Sequence, residues 1–268
     1  ASAIAGTGTA MERDYDYESR THLADLPDPA SIGKKAAQRT LRRLGGKKLA
    51  SCEMPVFFEP RVASSLVGHF LGAISGAAIA RKTSFLKENL GKPVFAKGID
   101  IFDDPLRKRG LRSRPFDAEG IKTAPMQLAK DGVLQSWLLD TASARELGLA
   151  SNGHARRGVS GPPSPGSTNI HLAAGSASPQ ELMRQAGRAF YVTDLIGQGV
   201  NLVSGDYSRG AAGFLVENGE FIHAVSEVTI AGNLRDMFAC LVAANDLEFN
   251  RAVNTPTLMV ERMTIAGR

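Results

Sequence analysis

The sequence has few cysteines, few aromatic residues and no strongly apolar run of membrane-spanning length. Its 268 residues include two cysteines, Cys52 and Cys240, which excludes a disulfide framework of the kind found in small secreted domains. Unpaired thiols fit a reducing compartment, so we predict a cytoplasmic protein in which both cysteines are small buried residues. Aromatic residues make up 6% of the chain and glycines number 28. Frequent turns and closely approaching backbones are therefore favoured over an aromatic core.

One uncharged stretch raises the question of a membrane segment. Residues 62–80 contain no acidic residue, lysine or arginine, and Gly68, Gly72 and Gly76 recur every four residues, as in helices that pack inside membranes. A spanning helix needs about 20 strongly apolar residues, whereas Ala, Gly and Ser dominate this stretch and His69 interrupts it. We therefore predict one long buried helix outside any membrane, whose glycines let another backbone approach.

The positive charge of the chain is modest and locally concentrated. The net charge is +5, and basic residues gather in two runs, over 34–48 and 107–114. Such runs can contact nucleic-acid phosphates, acidic peptides or acidic partners. The first run falls on the polar face of a helical pattern, where solvated charges are ordinary, and the second lies in a loop that contains Gly110. Nucleic-acid binding is therefore not expected as the main function.

Turn and cap signals divide the chain into helices and strands. Asp28 and Pro29 open a helix that ends at Gly45, and residues 178–181 form a capping box before another helix. The pairs Asp131-Gly132 and Asn218-Gly219 predict two tight β-hairpins. A late helix is expected from Gly232-Asn233. Strands are predicted over 54–58, 93–102, 168–173, 191–196 and 257–265, with a further helical stretch that ends at Gly91.

This pattern predicts an α+β fold of mostly antiparallel β-sheets with interleaved helices. Residues 1–48, a strand plus a helix, are interpreted as the tail of a preceding middle or N-terminal domain, and residues 49–268 as a C-terminal domain. Because the sequence begins at Ala1 without an initiator methionine, we expect it to be cut from a longer protein.

Familiar catalytic motifs are missing. A metal hydrolase often carries two histidines on one helix face with a glutamate between them, but no two of the histidines here are close enough in sequence to form that pair. Ser160 and Ser75 lack the Gly-x-Ser-x-Gly of a nucleophile elbow, and no phosphate-binding loop motif occurs. Independent catalysis is therefore disfavoured. The histidines are His22, His69, His154, His171 and His223.

Four segments carry a resemblance to a known family. They are residues 10–17 with the helix that follows, residues 60–76 continuing to Leu86, residues 153–157 with the glycine-proline loop and Thr168-Asn169, and residues 227–234 with the closing 264–267. In this order they resemble the PmbA/TldD family, on its PmbA/TldE branch. The resemblance implies a PmbA/TldD-like fold and an upstream N-terminal α/β domain.

The resemblance also implies that zinc is held elsewhere. In the TldD branch the helix matching residues 62–80 carries a His-Glu-x-x-x-His zinc motif. Placed from His69, the matching positions here hold Phe70 and Ile74, and residues 62–80 contain no glutamate and no second histidine. The branch also has a zinc-ligating cysteine before its last strand, and residues 245–256 have none. We therefore expect no metal, no cofactor and no catalytic residue in this chain.

The function implied by the resemblance is that of a metal-free accessory subunit in a TldD/TldE zinc protease that acts on peptides or unfolded proteins. A TldD-like zinc-binding subunit, or a second copy of this chain, is the expected partner, and an extended peptide is the expected substrate. Our candidates for lining the substrate site are His154 with Arg156, Asn169, Arg209 and Asn233.

Two other hypotheses stay open. The chain could be an independent hydrolase with an unrecognised site, which predicts activity without a partner. It could also be a nucleic-acid-binding or gyrase-associated modulator, an older description of the family, which predicts binding that weakens steeply with salt.

Overall fold

The computed structural model describes residues 1–267, in which short helices alternate with strands. The helices are α1 Pro29–Arg43, α2 Pro60–Ala73, α3 Gly76–Ala80, α4 Thr141–Glu146, α5 Pro179–Ala186 and α6 Leu234–Ala239. The strands are β1 Ser2–Ala5, β2 Glu12–Tyr15, β3 Cys52–Phe58, β4 Ile101–Asp103, β5 Met126–Lys130, β6 Val133–Leu134, β7 Ala155–Arg156, β8 Ser164–Pro165, β9 Ile170–Leu172, β10 Arg188–Ile196, β11 Asp206–Glu217, β12 Glu220–Asn233, β13 Leu241–Ala243, β14 Val253–Asn254 and β15 Leu258–Ala266.

The largest sheet curves until it closes on itself. Its strand order is β12-β11-β10-β3-β15-β13, and β12 pairs again with β15, so that Ile230 lies opposite Ile265. Strands β3, β10, β11, β12 and β15 therefore form a closed ring. All its pairs are antiparallel except β10 with β3. Closure covers the edge of β12 over the three residues that pair with β15, Thr229 to Ala231.

A second sheet, of order β14-β9-β4-β5-β6, packs beside the first. Its β5–β6 hairpin turns at Asp131 and Gly132, whose φ angles are 46° and 78°, as a type I′ turn requires. The β11–β12 hairpin turns in the same way at Asn218-Gly219. Both predicted hairpins are confirmed, as is the mostly antiparallel α+β class.

Helix α2 lies at the centre of the core that joins the sheets. Phe70 is fully buried, with its ring centroid 4.9 Å from that of Phe95 and 6.4 Å from that of Phe238. The same apolar cluster includes Val56 of the closed sheet and Leu128 of the second sheet. The two sheets and α2 therefore share one hydrophobic core.

The single helix predicted over 62–80 is wrong, because the chain leaves helical geometry after Ile74. Ser75 is extended, with ψ at 124°, and the amide of Gly76 donates to the carbonyl of Leu138 at 2.8 Å. A Cβ on Gly76 would lie 2.8 Å from that same carbonyl oxygen. The close backbone approach predicted for the glycines therefore occurs at Gly76. The helix is interrupted at the same point, between α2 and α3.

Two other predicted elements are shorter or absent. The strand expected over 93–102 is reduced to β4, because Val94 and Phe95 both donate to the carbonyl of Gly132 instead of joining a ladder. The helical stretch before Gly91 consists of turns.

Residues 1–48 pack against the rest through ion pairs. Strands β1 and β2 form a small antiparallel sheet beside α1. Arg43 of α1 is 9% exposed and lies 3.1 Å from Asp194 of β10, while Arg39 lies 3.6 Å from Glu59, just before α2. The solvated face expected for the first basic run is therefore wrong at these arginines. The predicted domain boundary at 48/49 stays a prediction.

Cys52 and Cys240 are free and partly buried, rather than fully buried as predicted. Among residues 1–267, no helix is both long enough and apolar enough to cross a membrane.

Candidate functional site

A buried carboxylate organises the first polar centre of the molecule. Asp103, the last residue of β4, is fully buried and accepts the amide hydrogen of Thr168 at 2.9 Å as well as its hydroxyl hydrogen. On its other side, Nε2 of His154 lies 3.2 Å from Oδ2 of Asp103. Asp103 thereby joins the ends of two loops, one before β7 and one before β9.

His154 is held on both sides. It is 3% exposed, and its Nδ1 lies 2.9 Å from the side-chain oxygen of Asn152. That oxygen also accepts the amide hydrogen of Leu139, while the Asn152 side-chain nitrogen donates to the carbonyl of Trp137. Both imidazole nitrogens therefore face oxygen atoms, which fix the orientation of the ring.

Asn169 fastens the long loop 104–123 to β9. It is fully buried, its Oδ1 accepts the amide hydrogen of Arg112 at 2.9 Å, and its Nδ2 donates to the carbonyl of Asp104 at 2.8 Å. A buried amide with all its polar atoms paired stabilises a loop. Any effect of Asn169 or His154 on a bound peptide would therefore act through the residues they hold.

Arg156 lies at the surface of this centre. It is exposed on β7, and its aliphatic part crosses Gly166, where an added Cβ would be 2.3 Å from the Arg156 Cδ. Its charge acts on Arg112 and Arg114 in the loop 104–123. The structure thus brings together three of the five predicted site residues, His154, Arg156 and Asn169, at one edge of the second sheet.

A second polar centre lies inside the closed sheet. Tyr207 of β11 is 1% exposed, and Arg209 follows on the same face of the strand because side chains alternate. The ring of His69, from α2, contacts that of Tyr207 edge-on at 6.0 Å. Three buried atoms here, Nε2 of His69, Oη of Tyr207 and Nε of Arg209, have no hydrogen-bond partner among residues 1–267.

Burial and charge set the protonation of this second centre. Burial lowers the pKa of His69, and the positive charge of Arg209 lowers it further. Burial raises the pKa of Tyr207, against the opposing charge of Arg209. A neutral imidazole and a neutral phenol therefore face a guanidinium.

Asn233, the fifth predicted residue, caps a helix. Its Oδ1 accepts the amide hydrogen of Arg235 at 3.0 Å, at the start of α6, and its Nδ2 donates to Asp206 at 3.1 Å. It lies on the same β11–β12 ribbon as Arg209, away from the bonds that join His154 to Asn169.

The residues that sequence reasoning missed are the ones that organise each centre. Asp103 ends an apolar strand, and a carboxylate in that position was a usable signal. The sequence contains no comparable signal for Tyr207. Its inward direction depends on which alternate residues of β11 face the interior of the sheet, and this cannot be read from the residues around it.

Residues 51–267 match a family model described as the PmbA/TldA metallopeptidase C-terminal domain. The chain belongs to the PmbA/TldD family. It is 42% identical, over 266 residues, to a protein named metalloprotease PmbA from Escherichia coli O157:H7, and this match covers 99% of the chain and 57% of that protein. The chain therefore spans little more than half the length of this curated PmbA relative.

Solved structures of the PmbA/TldD family have the same fold. A Bacteroides thetaiotaomicron protein described as a modulator of DNA gyrase superposes with a TM-score of 0.90 at 30% identity, over 100% of this chain and 59% of that one. TldE from Thermococcus kodakarensis superposes with a TM-score of 0.87 at 24% identity, over 98% of this chain and 61% of that one.

The metalloprotease names raise the question of whether this chain fits a metal ion. A catalytic zinc site takes about three protein ligands. Among residues 1–267, no group of three or more His, Cys, Asp or Glu side chains could hold one. His69 stands beside the cationic Arg209 and is followed by Phe70, which is fully buried in the core. Within residues 1–267, the surroundings of His69 therefore do not match the ligand set of such a zinc site.

Proposed function

We propose that this chain is a metal-free accessory subunit of a two-subunit zinc protease of the PmbA/TldD family. In this proposal a TldD-type subunit supplies the zinc ion and the catalytic residues, and this chain contributes to the enclosure that holds a peptide or an unfolded protein. When that partner is absent, a second copy of the chain takes its place. The free thiols of Cys52 and Cys240 fit a cytoplasmic location for such a subunit.

The surroundings of His69 are the observation that carries the proposal. A zinc ion needs about three protein ligands that offer it lone pairs, either neutral imidazoles or anionic thiolates and carboxylates. Here the charged group that acts on His69 is the Arg209 guanidinium, which lowers the pKa of the ring. The same field that disfavours a proton on the imidazole disfavours a divalent cation.

The polar centres supply the substrate-facing part of the proposal. Arg156 is exposed beside the anchored loop 104–123, and Arg209 faces His69. His154, Asn169 and Asn233 hold the surrounding backbone. These five residues remain candidates for a peptide-binding surface.

A role as a nucleic-acid-binding or gyrase modulator is the second candidate. The observation that favours it is the basic stretch in the exposed loop around Lys108, Arg109 and Arg112. Against it, Arg109 is already paired with Asp25 at 2.7 Å, and the guanidinium of Arg107 lies 3.6 Å from the ring centroid of Phe249. One of these basic charges is therefore offset by Asp25, and the Arg107 guanidinium is occupied by an aromatic ring.

Zinc content tests the proposal. The protein is incubated with excess zinc, cleared of free metal on a chelating resin and analysed by atomic emission beside a TldD-type subunit treated in the same way. We expect far less than one zinc ion per chain, with no difference between the wild type and His69→Ala. One tightly bound zinc ion per chain that is lost in His69→Ala would contradict the proposal.

A further inference from the structure

The loop 104–123 and strand β7 bring three arginines together without a carboxylate partner. Arg112, Arg114 and Arg156 act on one another electrostatically: besides burial, the charge of Arg156 lowers the pKa of both Arg112 and Arg114. Among residues 1–267, no acidic side chain lies within 4.0 Å of these three guanidinium groups. Within this range the cluster therefore has no salt bridge of its own, and Asp103 and Asp117 offset its charge only from a greater distance.

Arg114 has unpaired hydrogen-bond donors on the inner side of the cluster. Its Nε and Nη2 atoms are both buried and have no hydrogen-bond partner among the described residues. These atoms lie on one edge of the planar guanidinium, the edge that forms two parallel hydrogen bonds with a carboxylate. Buried donors normally find an acceptor, and the geometry of this edge suits an acceptor with two oxygens.

The neighbouring carboxylates do not pair with this edge of Arg114, because their oxygens are engaged by other groups. Asp103 already accepts from Thr168 and faces His154. Asp117 is 3% exposed and accepts the amide hydrogens of Glu119, Ile121 and Ala155. Both carboxylates fix the loops that carry the arginines, and neither pairs with them.

The backbone beneath the cluster is held rigidly. The amide of Arg114 donates to the carbonyl of Pro105 at 2.8 Å, and the hydroxyl of Thr123 donates to the carbonyl of Arg114 at 2.6 Å. The amide of Arg112 is fixed by Asn169, and Arg156 crosses Gly166, where no side chain fits. Three guanidinium groups on fixed backbone form a preorganised anion site.

We propose that Arg112, Arg114 and Arg156 form a binding site for a single carboxylate group of a peptide, either its C-terminus or an Asp or Glu side chain. The carboxylate chemistry follows from the unpaired edge of Arg114 and from the two arginines beside it. The peptide as the source of the carboxylate rests on the proposed function. A single planar anion suits a compact cluster better than the spaced phosphates of a nucleic acid, which are usually met by a longer basic groove.

Peptide binding by the protein alone, without a protease partner, tests this site. An uncharged peptide labelled at its N-terminus is titrated in three forms: with a free C-terminus, with an amidated C-terminus, and amidated with one internal Glu. Fluorescence anisotropy reports the affinity. The free-acid or the Glu form is expected to bind roughly tenfold or more tightly than the uncharged amide, and the form that does so identifies the source of the carboxylate.

Variants tie the preference to the cluster. Arg156→Gln changes an exposed residue and leaves the buried anchors intact, so it tests the site even if Arg114→Gln impairs folding. Arg156→Gln and Arg114→Gln should each abolish the preference for a carboxylate-bearing peptide. Arg114→Lys should keep part of that preference, because lysine retains the positive charge but cannot form two parallel hydrogen bonds with a carboxylate. Arg145→Gln, at an exposed arginine of α4, is the matched control and should bind like the wild type.

Equal affinity for all three peptides, or an equal loss in Arg145→Gln, would overturn the proposal. So would a uridine oligonucleotide that binds through the same arginines while the peptides show no preference. The binding assay contains no partner subunit and measures no cleavage. A negative result would therefore not contradict the proposed role as a metal-free subunit. Conversely, zinc found in this chain would sink that role and leave the carboxylate site intact.

Discussion

Replacement of Asp14 by alanine is expected to lower the free energy of unfolding by about 3 kcal/mol. Asp14 is 4% exposed, and its two oxygens accept hydrogen bonds from both terminal nitrogens of Arg61, at 2.6 and 3.0 Å. The Arg61 side chain is 6% exposed. Removal of the carboxylate leaves a buried guanidinium with Glu59 as its remaining acidic partner, at 3.1 Å.

Urea unfolding followed by circular dichroism measures this effect, and a double-mutant cycle with Arg61→Ala isolates the pair. The control is Asp25→Ala, which breaks the more exposed pair with Arg109 and should cost less than about 1 kcal/mol. Equal losses in Asp14→Ala and Asp25→Ala would mean that Asp14 does not fasten residues 1–48 to helix α2.

The same pair predicts a pH dependence. Burial alone would raise the pKa of Asp14, but the hydrogen bond and charge of Arg61 outweigh it and hold the pKa below its ordinary value of 3.8. An acid whose pKa is lower in the folded state contributes stability that is present above the unfolded pKa and is lost as the pH falls through the folded one. The difference between wild type and Asp14→Ala should therefore be constant near neutral pH and shrink below about pH 4.

Asp103→Asn is expected to destabilise the protein by about 3–5 kcal/mol. The substitution keeps the shape of the side chain but removes its charge and replaces one acceptor oxygen with an NH₂ group. That group must face either Thr168, which donates from both its amide and its hydroxyl, or His154. Because Asp103 is fully buried, water cannot compensate for the lost bonds.

Asp104→Asn is the matched control for Asp103→Asn. Its oxygen accepts the amide hydrogen of Leu106 at 3.0 Å, and an asparagine oxygen can accept the same bond. The control should therefore lose less than about 1 kcal/mol. A loss of similar size at both positions would show that Asp103 has no special role in joining the loops before β7 and β9.

Local chemistry let the sequence predict the turns and caps. Asp131-Gly132 and Asn218-Gly219 specify their hairpins because both turn residues need positive φ, and Ser178 with Glu181 forms the predicted capping box at α5. Asn233 accepts the amide hydrogen that begins α6. Each of these signals depends on residues within a few positions of one another.

Contacts between residues that are far apart in the chain could not be predicted from the sequence. The break after Ile74 depends on Leu138, and the closure of the sheet depends on β12 meeting β15. The helical pattern predicted a solvated Arg43, because the pattern does not show that Asp194 of β10 lies beside it. For the same reason the sequence indicated His154, Arg156 and Asn169 as neighbours along the chain but did not indicate Asp103, which holds their loops together.

Peptide cleavage by this protein, by a TldD-type subunit and by their mixture tests the central claim most directly. An unfolded peptide substrate is incubated with each, with and without a zinc chelator, and products are followed by mass spectrometry. The account predicts cleavage that requires the mixture and stops with the chelator. Chelator-sensitive cleavage by this protein alone would contradict it, because a metal site would then have to form from residues that show no such grouping.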